Sequence, residues 1–492
     1  MDYLDPKKRA SRNLMLFTGY ILIAVAITFT AVLLLYQTIG YGIGKNGAII
    51  QNGIMFFSSH PGSAQIRLNG SLFPSTTNTR ISVPEGIYNV QLSRAGYLDW
   101  QRNIELDGGR VEHFDYPFLI PTKLDTSHIG QPYSAAPTIT TQSPDRRWLL
   151  VGQPGSMSTF DVYDLKNPTK APVPITLPDT ILSKATSSES WQLPQWADDN
   201  QHVLLRHDFD GKSEFILVDR TAPEQSINLN TDLAVSPSKL TLRNLKFDQY
   251  YLYDASSGNL QTASLKSPDK TTVLQHVLTY QSYGNDTLLY VTDSGAPAGK
   301  VLLKMLVGDK ATTLRNFPAS SSYVVDLTTY SGTMYVAAGA SGTGKVYIYK
   351  DPLGQLASQP GQAIVPAQVL RVNQPNYLSF SDSAQFIVAE SGSSFGVYDI
   401  ENDQGYSYDT PAAPDAPMLH AEWMDGDRLF YVTNGKLELF DYDYRNQHIL
   451  VPANSHYTPI FAPDYKYVYT MVQNASGQYG LQQTWLLAPA DR

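Results

Sequence analysis

The sequence predicts an all-β ectodomain, a small β-sandwich followed by a 7–8-bladed β-propeller, behind one N-terminal transmembrane α-helix. Three observations carry this reading. Residues 14–36 contain no charge over a length that suits a bilayer. Residues 56–121 alternate apolar and polar side chains between glycine-containing turns. From residue 136 onward, an aromatic strand followed by an aspartate turn recurs about every 46 residues.

A chain of 492 residues is long enough for two or three domains. Charged residues make up only 16%, against 32 Tyr, 34 Gly and 31 Pro, a mixture that favours short strands and turns over long helices. The net charge is −9; the first 13 residues hold four basic and two acidic groups, which leaves −11 for the remainder. No basic stripe is visible, so nucleic acid is not an expected partner. The absence of cysteine excludes disulfides, a lipid-modified cysteine and thiolate metal sites. The ectodomain therefore rests on its packed core.

At ~1.5 Å per residue, a helix over residues 14–36 covers the ~30 Å hydrocarbon core of a bilayer. A cleaved signal peptide has a shorter apolar core and a small-x-small cleavage site. Here the core is long and QTIGYGIGKNG after it is a poor site, so the segment reads as an uncleaved signal anchor. Lys7, Lys8, Arg9 and Arg12 precede it and the next basic residue is Lys45. Positive residues stay on the cytoplasmic side. Residues 1–13 are thus expected to be a cytoplasmic tail, with the C-terminal domains extracytoplasmic at the plasma membrane. Gly19 is the only glycine in the span, so no GxxxG dimerisation face is present.

Residues 37–55 read as a Gly-rich spacer. In residues 56–121, Ile66 and Leu68, Ile81 and Val83, then Tyr88, Val90 and Leu92 recur at period two. Turns at Pro61-Gly62, Pro84-Glu85-Gly86 and Gly108-Gly109 separate the runs. This pattern predicts antiparallel sheet with one buried face. The block resembles the PEGA domain on four ordered pieces: His60-Pro61-Gly62-Ser63-Ala64, the strand Ile66 to Gly70, Val83-Pro84-Glu85-Gly86-Ile87-Tyr88, and Ala95-Gly96-Tyr97 leading to Trp100. The naming motif reads Pro-Gly-Ser-Ala here in place of Pro-Glu-Gly-Ala. The resemblance implies a surface-associated sandwich, not an enzyme.

Residues 122–135 read as a linker and residues 136–492 as the propeller. The repeating turns fall at Asp145, Asp198, Asp248, Asp286, Ser331, Asp382, Asp425 and Asp464, with steps of 53, 50, 38, 45, 51, 43 and 39. Units of this period with three or four short strands each are the mark of propeller blades. Eight units are countable, or seven if the irregular third merges with a neighbour. The last lacks a fourth strand, which a segment near residues 121–127 is expected to supply. Tyr431-Val432-Thr433-Asn434-Gly435, and Tyr290-Val291-Thr292-Asp293 more loosely, resemble the YVTN repeats of surface-layer proteins.

No catalytic, cofactor-binding or metal-ligating residue is assigned from the sequence, and no cofactor is expected. His202 and His207 are the only close histidine pair, and a separation of five places them on opposite faces of a strand. His202 is expected to be solvated beside its turn. Asp208, Asp210 and Glu214 in HDFDGKSE are similar to part of a calcium loop, but a hairpin turn at Gly211 explains them as well. FDYDYRN at 440–446 reads as a strand with solvated aspartates, and SGTGK at 341–345 as a hairpin turn lacking P-loop spacing. Trp148, Trp191, Trp196, Trp423 and Trp485 are expected mostly between blades, where aromatic burial stabilises the core. The leading functional expectation is a single-pass cell-envelope binding or scaffold protein, presenting sandwich and propeller to a protein or cell-wall glycan. The alternative is an exported propeller hydrolase or lyase acting on polysaccharide, which requires acidic residues to converge at the channel.

Overall fold

The computed structural model describes residues 6–38, 41–43, 49–418 and 420–492. It divides into two compact units, Met1–Lys123 together with Leu487–Arg492, and Leu124–Leu486. The helix α1, Pro6–Thr38, contains a stretch, Arg12–Tyr36, long and apolar enough to cross a membrane. Its threonines fit that reading. The hydroxyls of Thr18, Thr28 and Thr30 donate to the carbonyls of Leu14, Ala24 and Ala26, so they need no water.

The sandwich is built from two four-stranded sheets. In one, Ile49–Phe57 pairs with Tyr41–Ile43, antiparallel with Thr79–Pro84, and parallel with Val111–Phe114. In the other, the order is Ser71–Thr76, Gln65–Leu68, Gly86–Ser93, Trp100–Leu106. The period-two residues meet between them: Ile66, Leu68, Ile81, Val90 and Leu92 join Met55, Phe57, Trp100 and Phe114 in one core. The Asn69-Gly70 turn takes positive φ at both residues, the geometry a two-residue hairpin requires. The first sheet thus begins inside the stretch read as a spacer.

The last residues of the chain complete this unit. Ala488 is buried in the sandwich core, and its amide donates to the Tyr97 hydroxyl at 2.8 Å. That hydroxyl donates to Asp491 Oδ2 at 2.8 Å, and Arg94 pairs with the same carboxylate. A side chain at Gly96, whose φ is +87°, would meet Ala488. Residues 487–492, read as the end of the propeller, therefore belong with the sandwich.

The second unit holds, among the described residues, eight four-stranded antiparallel sheets. All eight turn positions read from the repeat lie between the first and second strands of successive sheets. Seven sheets are consecutive in sequence; the eighth takes its fourth strand from Thr126–Tyr133, which pairs with Tyr479–Trp485. The expected closing strand is present, a few residues further on than anticipated. It occupies most of the segment read as a linker because Ile129 is buried between the eighth sheet and the first.

Each sheet packs face to face on the next. Leu150 and Phe160 meet Trp191 and Ile216; Leu204 and Leu217 meet Leu240 and Tyr250; Tyr251 and Leu260 meet Tyr280 and Leu288. Leu289 and Leu303 meet Leu327 and Val336, and Tyr335 and Ile348 meet Leu378 and Ile387. Phe395 then approaches Phe440 at 6.1 Å, and Phe430 approaches Phe461 at 5.1 Å. Tyr469 and Leu481 pack back on Leu149 and Tyr163 of the first sheet, which closes the ring. Middle strands are covered on both faces, so Arg428–Thr433 is buried throughout, and Leu429 to Val432 within it read in sequence as a continuous apolar run.

Candidate functional site

The first strand of each sheet lies innermost. Those of the first, second, seventh and eighth sheets line one cavity of about 280 Å³. Its wall combines hydroxyl and amide groups (Thr140, Thr141, Gln142, Thr458) with aromatic carbon (Trp423, Phe430, Phe461) and two charged residues, Arg146 and Glu422. The short strands here, Glu422–Trp423 and Ile460–Phe461, are two residues each. They leave room that a longer inner strand would fill.

The turns after these strands tie the ring together at one end. Arg146 Nη2 donates to Asp382 Oδ2 at 2.8 Å, joining the first sheet to the sixth, and the guanidinium sits 5.0 Å above the Tyr465 ring of the eighth. Arg243 binds Asp286 at 2.7 Å and the Asp145 amide donates to Asn200 at 2.9 Å, each across one sheet boundary. Three of the turn aspartates, Asp198, Asp286 and Asp382, thus join one blade to another through their carboxylates. Arg146 Nη1 is buried and has no hydrogen-bond partner.

A second group of polar side chains flanks the channel on the fifth to seventh sheets. Asp326 accepts only backbone amides, those of Leu327 at 2.9 Å and Phe380 at 3.2 Å. Glu390 is completely buried; its Oε2 accepts the Ala421 amide at 2.8 Å and its Oε1 has no partner. His420 stacks on Tyr377 with ring centroids 3.6 Å apart, and its Nδ1 lies 3.5 Å from Glu422 Oε1. Burial dominates the protonation of all of these. It pushes Asp326 up to about 6. Burial, reinforced by Asp382, takes Glu422 up to about 7. Burial takes Glu390 up to about 8 against the Ala421 bond, with Glu422 adding to the rise. The same desolvation lowers His420 and so favours its neutral form. Among the described residues, no three His, Cys, Asp or Glu side chains converge as a metal-binding group.

Other candidates singled out in the sequence do structural work. Asp210 and Gly211 both have positive φ and form a hairpin turn, and the carboxylates around it are occupied by protein donors. Asp210 accepts from Thr186 and Ser187, whose bonds hold it well below the usual carboxylate range. Burial would raise Glu214, but bonds from His207, Ser183 and Asn228 bring it down to about 2. His207 is fully buried between Glu214, 2.9 Å away, and Glu189, 3.4 Å away.

Two expectations need correction. His202 is not solvated: it binds Asp199 at 2.6 Å and stacks on Phe247 at 4.1 Å. The aspartates of FDYDYRN are not solvated either; Asp441 is 2% exposed and accepts from Asn446 at 2.7 Å. The 440–446 segment leaves its strand after Asp441 and folds back, which turns these carboxylates inward. At SGTGK, Ser341–Thr343 and Gly344, at φ +61°, form the expected turn. Trp191 and Trp196 are buried between blades, whereas Trp148 lies between the guanidiniums of Arg147 and Arg220, at 4.4 and 4.0 Å.

The chain therefore joins a membrane-compatible helix, a β-sandwich and a β-propeller with a mixed-polarity cavity among its inner strands. The family model of the PEGA domain matches residues 53–119, which is the sandwich. No curated protein matched the chain. Similar solved structures include the Dos1 propeller, at 12% identity over 73% of this chain and 96% of that one, TM-score 0.45. An oligogalacturonate lyase in complex with manganese aligns at 11% identity over 74% of this chain and 100% of that one, TM-score 0.40. The C-terminal WD40 domain of Sif2 aligns at 9% identity over 88% and 96%, TM-score 0.37. The propeller assignment here rests on the eight sheets and their closed series of interfaces.

Proposed function

We propose that this chain is a single-pass binding protein of the cell envelope. In this reading α1 holds it in the plasma membrane with the basic tail inside. The sandwich and propeller stand outside, and the propeller engages a cell-wall glycan or an envelope protein. The observation that carries the reading is the cavity lined by Gln142, Arg146, Glu422, Trp423 and Thr458: hydroxyls, amide, charge and aromatic carbon together suit a polar ligand. A ring that holds these groups on four separate sheets presents them already ordered, which lowers the cost of binding. The net acidity beyond the tail favours neutral or basic partners.

The test is retention of the detergent-solubilised full chain on purified cell-wall polymer and on immobilised envelope proteins. Saturable retention that falls at least tenfold in Trp423→Ala, with an unchanged melting temperature, supports the reading. Retention on neither matrix sinks it. A polysaccharide hydrolase or lyase is the second reading. It draws on Glu422, a carboxyl whose proton affinity near neutrality suits a general acid. Release of reducing ends or unsaturated sugars, abolished in Glu422→Gln, would establish it.

A further inference from the structure

The inner-strand cavity has an unusual charge balance. Arg146 and Glu422 line it together, but Arg146 is already matched by Asp382 at 2.8 Å. Glu422 has His420 beside it at 3.5 Å, whose proton affinity burial lowers, and no lysine or arginine pairs with it among the described residues. Behind it, Glu390 is fully buried with Oε1 unpartnered, and it binds the amide of Ala421, the residue immediately before Glu422. What Glu422 lacks among the described residues is a lysine or arginine paired with it. A metal ion is a poor candidate because, among the described residues, no three suitable donors converge. An organic ammonium needs only one carboxylate and tolerates aromatic neighbours such as Trp423, Phe430 and Phe461.

A second observation narrows the class. The polar wall, Thr140, Thr141, Gln142 and Thr458, offers hydroxyl and amide contacts to the oxygens of a ligand. The cavity, about 280 Å³, sits at the lower edge of the ~300–1,000 Å³ range of ligand pockets. That size suits one sugar-sized group.

We infer that the cavity binds an amino sugar with a free amine, its ammonium against Glu422 and its hydroxyls on the polar wall of Thr140, Thr141, Gln142 and Thr458. This rests on the binding function proposed above and names the group that enters the propeller. Acetylation of the amine removes the charge and the interaction with it. Affinity should also rise with pH as Glu422 ionises. Burial and Asp382 set this range; His420 and Glu390 also lie near Glu422, with Arg146 and Asp425 around Asp382 and Tyr377 stacked on His420.

The experiment is calorimetric titration of the detergent-solubilised full chain with glucosamine, N-acetylglucosamine and glucose, at pH 6 and pH 8. The expected result is saturable binding of glucosamine, at least tenfold tighter than either neutral sugar and tighter at pH 8. In Glu422→Gln, glucosamine should fall to the level of glucose. Gln is isosteric with the protonated carboxyl, and a matching melting temperature confirms that the variant is folded. Equal binding of all three sugars, or no loss in Glu422→Gln, overturns the ammonium assignment while leaving a sugar-binding propeller in place. Binding of none of them overturns the inference outright, and the broader binding function is then decided by the polymer retention assay.

Discussion

Arg428 shows how single residues hold this ring. It is 6% exposed and places its guanidinium 2.7 Å from Asp425 and 3.8 Å from Asp441. Removing one partner of a buried pair leaves the other uncompensated, at a cost of about 3–5 kcal/mol. Arg428→Ala should therefore lose stability on that scale in urea unfolding, while Lys466→Ala, whose pair with Asp464 is half-exposed on both sides, should change little. Glu390 makes the opposite kind of contribution. Its proton affinity is raised in the fold, so its contribution to stability is fully present below its ordinary value near 4.5 and is lost as pH rises through about 8. The melting temperature should fall between pH 5 and pH 9, and Glu390→Gln should flatten that decline. An unchanged slope in the variant would exclude Glu390 as its source.

Among the elements, two segments are informative. The strand Thr126–Tyr133 is hydrogen-bonded to residues some 350 positions later, and Ile129 anchors it. Ile129→Asp should detach this strand and expose the interface of Tyr163 with Tyr469, seen as faster hydrogen exchange in residues 479–485. The hairpin at Asp210 pins a surface loop through Thr186 and Ser187. In Asp210→Ala the amides of residues 183–188 should exchange faster while the core of the second sheet stays protected.

Elements of this type were legible in the sequence because each obeys a local rule. The eight turn positions repeat, the sandwich strands alternate, and Asn434-Gly435 takes the paired positive φ its sequence predicts. The channel groups were not legible for the converse reason. Arg146, Asp326, Glu390, His420 and Glu422 come from four sheets and lie up to 276 positions apart, as Arg146 and Glu422 do. No spacing rule links them, and only ring closure brings Arg146 and Glu422 to one cavity. The one available signal was a charged residue on an inner strand, such as Glu422 three positions before Asp425, where the other blades place Gln, Leu, Tyr, Thr, Ser or Phe. His202 and Asp441 were misjudged similarly, because their burial depends on Phe247 and on the fold-back at Asn446.

For the molecule as a whole, the division into two units does not follow chain order. Deleting residues 487–492 should loosen the sandwich, with faster exchange at Tyr97 and its neighbours, and leave the eight sheets protected. Loss of protection in the sheets as well would show that they depend on this segment. The return of Ala488 and Asp491 to Tyr97 and Arg94 also imposes a schedule on biosynthesis. The sandwich strands leave the ribosome early, but their last contacts wait until residues 124–486 have been made, roughly 20–70 s later at ~5–20 residues per second. Throughout that interval the nascent sandwich is short of a core residue. A chain that stalls before residue 488 carries an unfinished sandwich.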